Sequence, residues 1–324
     1  MRLNATVGKL LAAVVMTAAA SVHAQAYPNR PITLVVGFGA GGGTDTAARM
    51  VAKDLAAELK QSVVVENRAG AGGAIGAASV AKAQPDGYTL FFGSGSELTV
   101  LPAIRRDPPY DTLKQFQPVA LVGTVSFMLV AHPSIAATSI AELISLARSQ
   151  AGAVSYASYG IGSTNHLIGE LFAHRTGTRL LHVPYKGSAA AATDLMAGQV
   201  QVAFDTVSVM LQHVQSGKLK GLAVLSPTRS QLAPMLPTFA EAGVPDFVVE
   251  GWMGVLAPVG TPGPIVDRLA QALDKVLKKP QMVEALRQRG VHTASGTPQQ
   301  FGAFIASELS RWQSVARTAA IQID

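Results

Sequence analysis

The sequence predicts an α/β fold of two domains with a ligand cleft between them. Three observations carry that prediction. A strand, a glycine-rich loop and a helix start follow one another at residues 32–49. The same order returns at residues 154–176. Two apolar stretches, Gln117 to Val130 and Gly221 to Leu225, lie where the chain would cross between domains and return.

The first unit organises the rest. Ile32 to Val36 is short, apolar and β-branched, which reads as a buried strand. Gly37 to Gly43 holds five glycines in seven residues. Without Cβ atoms such a loop can turn tightly and let a ligand approach its backbone. A side chain at Gly42 is therefore expected to obstruct that approach or to force a positive φ. Thr44 or Asp45 is the expected N-cap of the Ala-rich helix that follows. Free N–H groups and the positive end of a helix dipole make the unit an anion site.

The kind of anion is open on these residues alone. Gly37, Gly39 and Gly42 match G-x-G-x-x-G, and Glu66 ends a second apolar run, Val63 to Val65. That pattern can hold a dinucleotide. No Gly-Lys-Ser/Thr follows, which excludes a P-loop. The plainest alternative is a turn whose glycines serve helix–strand packing.

The N-terminus argues against a dinucleotide. Arg2 and Lys9 form a basic start, Leu10 to Ala20 is small and apolar, and Ala24 and Ala26 close two cleavage patterns. Residues 1–26 read as a secretory signal peptide, cut after Ala24 or Ala26. They are too short and wrongly flanked for a membrane span. Export is expected, and free nicotinamide cofactors are scarce outside the cytoplasm, so no cofactor is expected. Cysteine is absent, which fits an exported protein that needs no disulfide. Removing Arg2 and Lys9 from 26 basic against 20 acidic residues leaves a mature excess of four positive charges. That suits anionic solutes. No Lys/Arg run or interleaved aromatic stripe occurs, so nucleic acid is not an expected partner. A monomer is expected.

The remaining elements follow in order. Tyr27 to Pro31 is an extended lead-in. Val63 to Val65 is a strand, then Ala69 to Gly73 a second glycine loop, then Ala74 to Ala83 a helix. Pro85-Asp86-Gly87 turns into a third strand, Tyr88 to Phe92, which ends at Gly93-Ser94-Gly95-Ser96. In open α/β sheets ligands collect at such carboxyl ends. Ser139 caps an amphipathic helix to residue 149. Val154 to Ala157 is a strand, Ser158 to Thr164 a loop of glycines and hydroxyls, and Asn165 to Thr176 a helix. His182 to Tyr185 is a strand, and Ser188 caps a helix to Ala197. Gln201 to Phe204 is a strand ending on Asp205, before a helix at 207–216. Val248 to Ala257 is a strand carrying Trp252. Residues 263–279 and 298–318 are helices, the last packed back onto the first domain.

Several of these motifs together resemble a known family. Val-Val-Gly-Phe-Gly-Ala-Gly-Gly-Gly-Thr-Asp at 35–45, Val-Val-Val-Glu-Asn-Arg-Ala-Gly-Ala-Gly-Gly at 63–73 and Pro-Asp-Gly-Tyr-Thr-Leu at 85–90 carry the likeness. So do Tyr156-Ala157-Ser158 with Gly160, Gly162 and His166, His182 to Gly187, and Phe204-Asp205. The chain resembles the Bug family, periplasmic solute-binding proteins of tripartite tricarboxylate transporters. The resemblance implies the type II periplasmic-binding architecture, with domain 1 at 27–123 and 226–324 and domain 2 at 124–225. It implies capture of a small organic carboxylate without turnover, and the transporter's membrane permease subunits as partners.

The family's ligand loops carry over residue by residue. On loop one they fall on Phe38, Gly41, Gly42, Gly43, Thr44 and Asp45, and beside them on Ser94 and Ser96. On loop two they fall on Ser158, Tyr159, Gly160, Gly162, Ser163, Thr164 and His166, with Asp205 below. Two departures stand out. Gly39 and Ala40 replace the two prolines common before the three glycines. Tyr159 and Ile161 occupy the second loop where a polar residue is common between Gly160 and Gly162, so an apolar or aromatic side of the ligand is expected.

Catalytic sets are missing. Ser94, Ser96, Ser158 and Ser163 all fail G-x-S-x-G. His166, His174 and His182 are evenly spaced but span a helix and a strand without a cysteine or HxH neighbour, so no metal is expected. His166 reads equally as a ligand contact or as a partner for its own loop. Asp45 reads also as a first-turn carboxylate, Asp205 as a helix cap, Lys186 as a solvated turn lysine and Trp252 as core. A secreted dehydrogenase and a secreted hydrolase are the competing functions.

Overall fold

In a computed structural model the structure describes residues 27–150 and 152–324. The signal peptide expected at 1–26 lies outside them. Two lobes form around two stretches of sheet that share one long strand. The first contains β1 (Ile32–Val36), β2 (Val63–Asn67), β3 (Thr89–Ser94) and the first part of β4 (Phe116–Ala131). The second is built on β5 (Ser155–Ser158), β6 (Leu181–Pro184), β7 (Val202–Thr206) and β8 (Lys220–Val224). The chain then returns through β9 (Glu250–Pro258) and β10 (Val291–Thr293) to the first lobe. Strand order is β2-β1-β3-β9-β4 in the first lobe and continues β4-β7-β5-β6 in the second, with β8 and β10 also paired to β4.

The helices, in chain order, are α1 (Gly43–Leu59), α2 (Ala74–Ala81), α3 (Leu101–Ile104), α4 (Thr112–Gln115), α5 (Ile140–Ser149) and α6 (Thr164–Thr176). They continue with α7 (Ser188–Met196), α8 (Val207–Gln215), α9 (Gly263–Leu277), α10 (Pro280–Arg287) and α11 (Pro298–Thr318). A π-helical turn, Ser96–Val100, leads into α3. That turn, α4, α10 and β10 carry no strong sequence signal. All four are short, and their form is set by what they pack against.

β4 is the structural link. Its 16 residues pair with β9 over 116–126 and with β7 over 127–131. One strand thus runs through both lobes, as the apolar stretch 117–130 predicts. Alternation along β4 feeds two cores. Phe127, Leu129 and Ala131 join one apolar cluster, Met128 and Val130 another, because successive side chains point to opposite faces. β1 behaves likewise, with Ile32, Leu34 and Val36 in one cluster and Val35 in another. Apart from Thr33 and the end residues Thr89 and Ser94, β1 and β3 are buried on both faces, which explains their mostly apolar runs.

Two caps differ from the sequence reading. α1 begins at Gly43 with Gly42 at its N-cap, not Thr44 or Asp45. α7 is preceded by Gly187, not capped by Ser188, because the Ser188 hydroxyl donates to Asp205 instead. Ser139 and Ser163 do cap α5 and α6. The C-terminal portion also divides. The sequence reading gives 226–324 to domain 1, yet Phe239 and Phe247 stack at 4.9 Å inside the second lobe's core, beside Phe172. α11 places Phe301 and Ile305 in the first lobe and Trp312 and Ala316 in the second. A 21-residue helix is roughly 30 Å long and can reach both.

Candidate functional site

The loops after β1, β3, β5, β6 and β7 meet where the lobes face each other. Parallel pairing of β1 with β2 and β3, and of β5 with β6 and β7, puts all these loops at carboxyl ends. The N-termini of α1, α6, α7 and α8 therefore point into one cleft. Their dipoles make it electropositive without a charged side chain. Among the described residues no Lys, Arg, Asp or Glu lines the cavities between the lobes.

The lobes touch across this cleft. Gly39 N–H donates to the Lys186 carbonyl at 3.1 Å. Thr164 N–H donates to Ser96 Oγ at 3.0 Å. Gly72 packs so closely on the Ile161 carbonyl that a Cβ would stand 2.6 Å from it. Between these contacts a cavity of about 30 Å³ is lined by Phe38, Thr44, Ser94, Ser96, Asn165 and Trp252, among others. A second, about 20 Å³, lies against Gly42, Gly43 and Ser188. Tyr159 and Thr206 line both.

The first glycine loop is braced from within. Asp45 accepts from Gly41 N–H at 2.9 Å, Arg49 Nε at 3.1 Å and Asn67 Nδ2 at 2.9 Å. Burial pushes the Asp45 carboxyl up, but Arg49, Gly41 and Asn67 together outweigh it and hold the carboxyl below its usual range. Asn67 also donates to the Phe38 carbonyl. The Asp45 carboxylate is engaged in shaping the loop.

The second loop is held by its own residues. Ser158 Oγ accepts from Gly160 N–H at 3.0 Å and lies 2.6 Å from His182 Nε2. Ser163 Oγ accepts from His166 N–H, and Gly162 N–H donates to His166 Nδ1 at 3.3 Å. His166 stacks on His182 with centroids 4.2 Å apart. Desolvation lowers both imidazoles, His182 to about 4, so both are neutral at pH 7. Ser158 and His182 have the spacing of a nucleophile and base. Ser158, however, is only 1% exposed and its oxygen is taken up by the loop.

Asp205 forms the floor. Its oxygens accept from the Tyr159 hydroxyl, the Ser188 hydroxyl at 2.7 Å and Thr206 N–H at 2.6 Å. Desolvation raises its carboxyl to about 6 despite these donors.

With that geometry in hand, likeness to known proteins decides the family. The model of the tripartite tricarboxylate transporter family receptor (TctC) matches residues 47–321. This chain belongs to the TctC receptor family. BugT of Bordetella pertussis is 41% identical over 321 residues, 98% of this chain and 97% of that protein. The structure of Rpa4515 of R. palustris with adipate is 38% identical with TM-score 0.88, covering 91% of this chain and 99% of its own. MatC of Rhodopseudomonas palustris with bound malate is 32% identical with TM-score 0.86, covering 89% and 99%. The fold is that of the Bug and TctC periplasmic binding proteins, and these receptors are solute-binding proteins.

In this receptor the residues singled out in the sequence separate into groups. Phe38, Gly42, Gly43, Thr44, Ser94, Ser96, Tyr159 and Thr164 line the cavities. Gly41, Asp45, Ser158, Gly160, Gly162 and Ser163 shape the loops behind them. Asp205 lies beneath, 1% exposed. His166 faces the groove between α6 and the C-terminal residues 319–323. Ile161 is 53% exposed and lines neither cavity. Glu66 pairs with Arg68 at 2.8 Å. Gly37 abuts Gly73, where a Cβ would meet a carbonyl at 2.8 Å, so that glycine does serve packing.

Sequence reasoning missed Asn165, Ser188, Thr206 and Trp252 as cleft residues. Asn165 and Thr206 each stand next to a residue of the expected site, Thr164 and Asp205, and the helix start at each is the available signal. Trp252 had none, because an aromatic on a buried strand reads as core.

Gly42 does not have the positive φ that the sequence reading offers as one alternative. Its φ is −77°, an ordinary value, and a Cβ there would sit 3.6 Å from Ser188 Cβ. A methyl is accommodated without strain. Gly42→Ala is expected to change stability by less than about 1 kcal/mol, the scale of a mild N-cap loss. Lys186→Ala should be equally quiet, since Lys186 contributes its backbone carbonyl to the cleft. Thermal melts of the two variants beside the parent check this.

Proposed function

We propose that this receptor captures a small organic carboxylate in the periplasm and passes it on unchanged. The observation that carries the reading is the convergence of four helix N-termini and several hydroxyls on a cleft lined by no charged side chain. Neutral donors hold a carboxylate at less desolvation cost than a buried Lys or Arg. The adipate and malate of its structural relatives support the same class. Ligand binding closes the lobes by a hinge at β4 and at the start of β9, not at Gly221 to Leu225, where β8 pairs with β4 inside the second lobe. Membrane permease subunits of a tripartite transporter then receive the closed form. Cleavage after Ala24 or Ala26 releases the chain, and no described helix is long and apolar enough to cross a membrane.

A thermal-shift screen of di-, tri- and aromatic carboxylates tests the reading. At a hundredfold excess over its Kd a ligand stabilises the native state by about 2.7 kcal/mol. At least one carboxylate should raise the melting temperature, and none should be consumed. A shift with NADH alone, or turnover of an ester, would replace this reading with the dehydrogenase or the hydrolase.

A further inference from the structure

Tyr159 stands inside the closed cleft, lining the cavities on both sides of it. Its ring meets Phe38 of the other lobe edge-on, with centroids 5.8 Å apart. Its hydroxyl donates to Asp205. Phe38, Thr44, Tyr159 and Thr206 border both cavities, whereas the other walls differ. One compartment is walled by Trp252 and Asn165, the other by Gly42, Gly43 and Ser188. The Phe38–Tyr159 pair is thus a partition within one cleft. The compartments beside it measure only about 30 and 20 Å³, so the lobes must part slightly to seat a carboxylate in either one.

The Trp252 compartment also carries polar atoms without a protein partner. Trp252 Nε1 and Asn165 Oδ1 are buried and unpaired. The Asn165 amide is oriented by its nitrogen, which donates to the Phe204 carbonyl, so its oxygen is the free atom. Trp252 is 2% exposed and Asn165 0%. Trp252 Nε1 offers a hydrogen bond to a carboxylate oxygen there, and Asn165 Oδ1 accepts one from a hydroxyl or a water. An extended dicarboxylate has a second charged end. The Phe38–Tyr159 pair stands between this compartment and the one against Gly42 and Gly43 at the α1 N-terminus.

We propose that Tyr159 sets ligand length: with its ring between the compartments the receptor takes a compact carboxylate seated against Trp252 and Asn165, and discriminates against an extended dicarboxylate that must span both. This rests on the solute-binding reading. It assigns Tyr159 a role in selection that the loop's glycines and hydroxyls do not have.

Calorimetric titration with malonate, succinate, glutarate and adipate tests it, using the parent, Y159S, Y159F and F38A. The parent should bind malonate at least about tenfold more tightly than adipate, a difference of 1.4 kcal/mol. Y159S should reverse that order. Y159F keeps the ring and loses only the polar contacts of its hydroxyl, chief among them the bond to Asp205, so it should keep the parent's order. F38A removes the other half of the partition and should shift the order as Y159S does, which covers the case of a poorly folded Y159S. An unchanged order in both Y159S and F38A overturns the role of Tyr159, as does a parent that prefers adipate. If Y159F switches like Y159S, the Asp205 bond and not the ring selects length, and the proposal falls. Absence of binding by the whole series in every folded variant overturns the proposal, and removes the carboxylate reading as well if the tri- and aromatic acids also fail.

Discussion

Gly72→Ala is expected to weaken carboxylate binding by about tenfold to a hundredfold while lowering the apo melting temperature only modestly. Gly72 has φ +64°. Alanine in that left-handed region costs roughly 1–2 kcal/mol, and it does so in the open and closed forms alike. The larger effect belongs to closure. A Cβ at Gly72 would stand 2.6 Å from the Ile161 carbonyl and 3.1 Å from Ser163 N. Both are backbone atoms of the second lobe, in a loop held by Ser158 and His166, so neither steps aside as a side chain would. The penalty therefore falls on the closed form. Apparent affinity drops in proportion to the population of that form, and each 1.4 kcal/mol is tenfold. Calorimetric titration beside an apo melt measures both. Full affinity in a folded Gly72→Ala would show that the ligand-bound lobes do not meet at this point.

Glu97→Gln is expected to raise the melting temperature at pH 8 and to leave it nearly unchanged at pH 5. Glu97 is 0% exposed, and accepts from Ser94 N–H at 2.7 Å and Ser94 Oγ at 2.6 Å. Desolvation raises its carboxyl from 4.5 to about 7 although Ser94 pulls the other way. The fold thus holds a proton that the unfolded chain has released. The stability from that proton is complete below about pH 4.5 and lost as pH rises through 7. The loss is on the order of 3 kcal/mol, at 1.36 kcal/mol per unit. Asp205, raised from 3.8 to about 6, acts in the same sense over a lower window. Glutamine keeps an acceptor for Ser94 N–H and carries no charge to desolvate. The variant's melting curve should therefore be flatter between pH 5 and 8. A Glu97→Gln protein that melts below the parent at pH 8 would mean that the Ser94 bonds to the carboxylate outweigh its desolvation.

Much of the fold was legible because its signals are local. The run Ile32 to Val36, the glycines after it and the Ala-rich segment to Leu59 each declare a strand, a loop and a helix within a few residues. Ser139 and Ser163 are caps whose partners lie three residues on. Site residues were legible to the extent that they belong to such loops. His166 shows the limit. Its place at the start of α6 suggests the cleft, but the side chain stacks on His182 and faces the C-terminal residues. Asn165, one residue earlier, takes the cleft instead. A helix advances about 100° per residue, so neighbours in sequence face different surroundings.

The sequence alone determined the α/β class, the order of strand–glycine–helix units and the family, all of which rest on periodicity and on motifs read along the chain. Tertiary structure decided the rest. Whether a glycine matters depends on what another segment brings against it: Gly42 faces Ser188 with room for a methyl, whereas Gly72 faces a carbonyl from a loop about ninety residues away. Phe38 and Tyr159 meet only because two lobes close on each other. Phe239, Phe247 and Trp312 share the second lobe's core although the chain has by then begun its return. Burial and steric contact act across space, and only packing sets which distant segments share it.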